Sequence, residues 1–89
     1  MRLLLANSNT SAEVTATIER AARAVAAPDT VILARNARFG AEVVGTRSEA
    51  AIAAHALLDL LAVETEPFDA VLLAMSMDSG LRAARELLA

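Results

Sequence analysis

Five small polar residues in a row, Asn7-Ser8-Asn9-Thr10-Ser11, follow directly on the apolar segment Arg2-Leu3-Leu4-Leu5-Ala6. Side-chain amides and hydroxyls clustered where a buried strand ends and a helix opens can bind an anionic or amide-bearing ligand. Asn7, Asn9 and Thr10 offer donors for a carboxylate or imide, and a second polar loop, Met75-Ser76-Met77-Asp78-Ser79-Gly80, adds the hydroxyl of Ser76. The other reading of these residues is local, with Asn7 and Asn9 shaping the turn and Thr10 only capping the helix. His55 is the sole histidine, and its spacing from Asp59 fits a solvated pair one helical turn apart. Met75 and Met77 read as pocket lining or core. Cysteine is missing, so disulfides, thiolate metal sites and a cysteine nucleophile are all excluded within these residues.

The elements that position these groups follow from periodicity. Arg2 to Ala6 is apolar without alternation, as in a strand covered on both faces. Thr10-Ser11-Ala12-Glu13 fits a capping box opening a helix from about Ser11 to Ala26, with Val14, Ile18, Ala22 and Val25 as its inward stripe. Pro28 ends that helix, and a second strand runs from Thr30 to Ala34. Arg35 to Gly45 is a loop, and Thr46-Arg47-Ser48-Glu49 is a second capping box for a helix reaching Val63. In that helix Ile52, Ala56, Leu60 and Val63 form one stripe, with Ala53, Leu57 and Leu61 beside it. Ala70 to Ala74 is a third strand, and Leu81, Ala84 and Leu88 mark a last helix.

Alternating strands and helices predict a three-layer α/β fold around an open parallel sheet, strand order 2-1-3, in the flavodoxin-like manner. A crevice then opens beyond the carboxyl ends of the first and third strands, lined by Asn7–Ser11 and Met75–Gly80. Flavin binding itself is disfavoured, because the first loop lacks glycine and the chain has no Trp or Tyr to stack on the ring.

Composition narrows the partners. The chain is 89 residues long and 56% hydrophobic with a mean hydropathy of +0.48, an excess for so small a domain. Apolar surface of that kind predicts a second domain or a second copy packed against this one. Formal charge is -3 and the arginines form no cluster, which argues against nucleic acid. The longest apolar run, Ala70 to Met75, is far below the roughly 20 residues of a membrane span. No signal-peptide core is seen, so a cytoplasmic location is expected.

Taken in order, the segments resemble the aspartate/glutamate/hydantoin racemase superfamily. Arg2 to Ser11 is similar to its opening strand and Asn-Pro-Asn-Thr-Ser loop, and Arg38-Phe39-Gly40 to its Phe-Gly loop. Phe68-Asp69-Ala70-Val71 and Asp78-Ser79-Gly80-Leu81 resemble its approach to the third strand and its Asp-Pro-Gly-Leu segment. The resemblance implies a protein of two similar halves, of which residues 1–89 are the N-terminal one, with the active site between them. It implies cofactor-independent, metal-free racemisation beside a carbonyl of a small carboxylate, amino acid or hydantoin, using one cysteine from each half. Aligned through Asp78 to Leu81, the first cysteine falls on Met75, whose thioether cannot carry a proton. Ser76 is the neighbouring hydroxyl and the candidate catalytic residue, although no base to activate it is visible. Three readings stay open: a racemase half, a one-base relative such as a decarboxylase or isomerase, and a carboxylate-binding module without turnover.

Overall fold

A computed structural model describes every residue from Met1 to Ala89. Three strands and three helices alternate: β1 (Arg2–Asn7), α1 (Ala12–Val25), β2 (Val31–Asn36), α2 (Arg47–Val63), β3 (Ala70–Leu73) and α3 (Leu81–Leu88). The sheet has the order β2-β1-β3, with both pairings parallel. Leu4 lies opposite Leu33 on one side and Val71 on the other, so β1 is the central strand.

Central placement explains the unalternating composition of β1, since both of its faces are covered. Leu4 and Ala6 turn to one face and join Leu57, Leu60 and Leu61 of α2 and Ala84 of α3 in the main core, flanked by Leu33, Phe68, Val71 and Leu73. Leu5 and Asn7 alternate to the opposite face, where Asn7 meets Thr15 of α1. The sheet is thus sandwiched, with α2 and α3 together on one side and α1 on the other.

Hydrogen bonding fixes the helix ends and corrects one expectation. Thr46 caps α2 in the expected capping box, its hydroxyl accepting from Glu49 N while the Glu49 carboxylate accepts from Thr46 N. At α1 the cap is Ser11, not Thr10, with Ser11 Oγ accepting from Val14 N at 3.1 Å. Thr10 is drawn away because its backbone N–H donates to Ala41 O at 3.1 Å, in the loop before α2.

The inward stripes are also rotated from expectation. In α1 the buried residue is Thr15, flanked by half-buried Ile18 and Ala22, whereas Val14 and Val25 are exposed. Thr15 anchors this rotation by accepting from Asn7 and donating to Ser11 O, bonds a valine cannot make. In α2 the core side is Ala53, Ala56, Leu57, Leu60 and Leu61, leaving Ile52 and Val63 in solvent. β2 runs two residues beyond Ala34, since Arg35 and Asn36 pair with Ala6 and Asn7. β3 ends at Leu73, although Ala74 N still donates to Ala6 O at 2.9 Å.

Arginine–carboxylate pairs hold the C-terminal end of α2. Arg38 forks onto Asp59 with bonds of 2.9 and 2.6 Å, and Arg35 reaches Glu64 at 2.8 Å. The expected pairing of His55 with Asp59 is therefore replaced, because the bidentate guanidinium is the stronger partner. His55 instead packs edge-on against Phe39, ring centres 5.1 Å apart.

These contacts make stability acid-sensitive. Hydrogen bonds from Gly45 and Thr46 hold the Glu49 carboxyl below its ordinary value, and those from Arg38 do the same for Asp59. At Glu64 burial pushes upward, but the Glu66 amide and Arg35 outweigh it and the net direction is down. A carboxylate with a lowered folded value contributes stability above its unfolded value and loses it as pH falls through the folded one. The urea-unfolding midpoint is expected to be flat from pH 7 to about 5 and to drop below about pH 4, with Glu64→Gln reducing the drop.

Candidate functional site

Beyond the carboxyl ends of β1 and β3 lies an open cleft of about 260 Å3. Asn9 lines it from the loop after β1, and Ala74, Met75, Ser76 and Met77 from the loop after β3. Val14 comes from the first turn of α1, and Glu42, Val43 and Val44 from the loop before α2. A larger open groove of about 710 Å3 runs between α2 and α3 past His55 and Asp59. The smaller cleft is the candidate site, because ligands of open parallel sheets settle at strand carboxyl ends and polar groups from two loops converge there.

The polar loop after β1 is held by its own side chains. Asn7 is 2% exposed, and its amide donates to Asn9 Oδ1 at 2.8 Å and to Thr15 Oγ1 at 3.0 Å. Asn9 N donates back to Asn7 Oδ1 at 3.3 Å, and Asn9 Oδ1 also accepts from Ser11 N at 2.9 Å. Ala37 N is shared between Asn7 O and Asn9 O, which ties this loop to the end of β2. Both amide hydrogens of Asn7 are thus committed within the protein. The amide group of Asn9 faces a different situation, since only its oxygen is engaged.

Across the cleft the β3 loop is shaped by two backbone positions. Asp78 has φ 48° and Gly80 φ 79°, the left-handed region that Asp tolerates and glycine favours. A Cβ on Gly80 would stand 3.2 Å from Leu57 Cδ2 and 3.3 Å from Ala54 Cα, so glycine is also required by the close approach to α2. This turn brings Ser79 into the interior and leaves Ser76 and Met77 exposed at the cleft. Ser8, buried beneath, donates through its hydroxyl to Met75 Sδ.

Of the residues singled out in the sequence, the structure brings Asn9, Met75 and Ser76 together. It does not bring Asn7 or Thr10 to the cleft surface: Asn7 lies beneath it and Thr10 is turned toward Ala41. Sequence reasoning missed Glu42, Val43, Val44 and Val14. The available signal was Val43-Val44, two adjacent valines in a stretch without strand or helix pattern, of which Val43 is 73% exposed.

The architecture is an α/β fold with an open, polar-rimmed cleft at the head of a parallel sheet. Residues 3–89 match the Asp/Glu/Hydantoin racemase family model, and the chain belongs to that family. It is 37% identical over 89 residues to a hydantoin racemase from Paenarthrobacter aurescens, covering 98% of this chain and 38% of that protein. An allantoin racemase from Klebsiella pneumoniae superposes with a TM-score of 0.90 at 42% identity, over 97% of this chain and 36% of the other. For an allantoin racemase from Pseudomonas fluorescens the values are 0.81, 46%, 83% and 32%. The chain therefore spans little more than a third of the length of these relatives.

Proposed function

We propose that this chain forms one wall of a cleft that binds a small carboxylate, amino acid or hydantoin-like imide, with a second domain or a second copy closing the other side. The observation that carries this reading is the convergence of Asn9 and Ser76, from the ends of β1 and β3, on one pocket of a racemase-family fold. The Asn9 amide and the Ser76 hydroxyl are suited to donate to a ligand carbonyl, and such donors stabilise charge that develops on oxygen when the adjacent carbon loses a proton.

Met75 favours a particular form of the chemistry. On the family resemblance it stands where the first proton-carrying cysteine is expected, and a thioether neither takes up nor delivers a proton at neutral pH. This half then contributes binding and charge stabilisation, while proton transfer rests on a single base from the rest of the protein, or the cleft binds without turnover. Ser76 serves as an oxygen-directed donor in either case.

An NMR titration of the 89-residue chain with a 5-substituted hydantoin is expected to shift the amide signals of Asn9 and Ser76. Asn9→Ala should weaken binding about five- to tenfold through loss of one donor. Absence of any shift up to the solubility limit of the hydantoin would overturn the binding reading. Loss of optical rotation from an enantiopure hydantoin at an enzymatic rate, with Met75 in place, would overturn the one-base form.

A further inference from the structure

We infer that Glu42 sets which ligands the cleft accepts, favouring molecules that present an N–H donor beside a carbonyl over nitrogen-free carboxylates. The inference rests on the cleft being the binding site. Glu42 is the one ionisable side chain among the cleft's lining residues, in company with Asn9, Ser76 and apolar groups.

Its carboxylate is also uncommitted. Glu19, Asp59, Glu64 and Glu66 are each paired with an arginine, and Glu49 is spent on the cap of α2. Glu42 has neither an ion pair nor a side-chain hydrogen bond. Its loop is tied to the one carrying Asn9, since the neighbouring Ala41 carbonyl accepts from Thr10 N at 3.1 Å.

A ligand N–H meeting this carboxylate gains a charge-assisted hydrogen bond. A ligand carboxylate meets a like charge beside Val43, Val44 and Met75, and that repulsion disfavours it. The N–H has two chemical sources, the ring of a hydantoin-like imide and the α-ammonium of an amino acid.

Three probes with one side chain separate the cases: 5-isopropylhydantoin, valine and isovalerate, titrated by NMR into the 89-residue chain and into Glu42→Gln. Glu42 lies on an exposed loop, and the amide spectrum verifies that the variant keeps its fold. The wild-type chain is expected to bind the hydantoin or valine about tenfold more tightly than isovalerate, and Glu42→Gln to erase that preference. Loss confined to the hydantoin identifies the ring N–H, loss confined to valine the ammonium, and either supports the inference. An unchanged preference in Glu42→Gln, with Asn9→Ala still weakening binding, overturns the role of Glu42 alone. If none of the probes binds the wild-type chain, the cleft reading fails and this inference with it.

Discussion

Leu57→Ala is expected to destabilise the protein by about 3–5 kcal/mol. Leu57 is fully buried, sits at the centre of the cluster formed by Leu4, Ala6, Leu60, Leu61 and Ala84, and lies against Gly80 at the start of α3. Its loss removes transfer free energy and leaves a cavity beneath the turn that carries Met75 and Ser76. A domain of this size has a total stability of roughly 4–13 kcal/mol, so the variant is left near its unfolding threshold. Thermal unfolding followed by circular dichroism should show a fall in Tm of well over about 12 °C, or no cooperative transition at all. Retention of the wild-type Tm would mean that α2 and α3 do not share the core described.

The second large effect is expected at Asn7. Asn7→Ala removes both donors that brace the first loop and leaves Thr15 Oγ1 and Asn9 Oδ1 short of a partner, at a cost of about 2–3 kcal/mol. Because Asn9 is held by Asn7, the same variant should also weaken hydantoin binding, by up to the roughly five- to tenfold expected of Asn9→Ala, although Asn7 does not line the cleft. Urea denaturation measures the first effect and NMR titration the second. A variant that loses stability but keeps full affinity would show that the position of Asn9 is set elsewhere, for example by the Ser11 and Ala37 amides.

Much of this fold was legible in the sequence. The unalternating run of β1 announced a central strand, Thr46 and Glu49 announced the start of α2, and the alternation of elements announced a parallel sheet of order 2-1-3. The racemase family was legible as well, through the order of short segments spread over nearly the whole chain. What misled was the assumption that apolar side chains define a helix's inner face. In α1 a threonine is buried because a buried asparagine needs it, and Val14 is released toward the cleft. Long-range ties had no local signature either. Nothing in the spacing of Arg38 and Asp59 competes with the helical interval from His55 to Asp59, and nothing around Thr10 announces a bond to Ala41.

The candidate site was half legible for a related reason. Asn9 and Ser76 could be read because loops that follow parallel strands share one end of the sheet. Glu42 could not, since its loop follows the edge strand β2 and reaches the cleft only by being drawn toward Thr10. Asn7 was conspicuous by type, and its burial turns it from an apparent ligand contact into a support for Asn9.

The last backbone bond tying the third strand to its neighbour is made by the amide of Ala74, and Met75 is the next residue along. Position 75 therefore sits one step outside the part of the sheet whose geometry the hydrogen-bond ladder enforces. A side chain there answers to the pocket rather than to the sheet, so a substitution at position 75 changes the cleft without touching the hydrogen bonds that pair β3 with β1. Chemistry at that step is thereby separable from the task of keeping the chain folded.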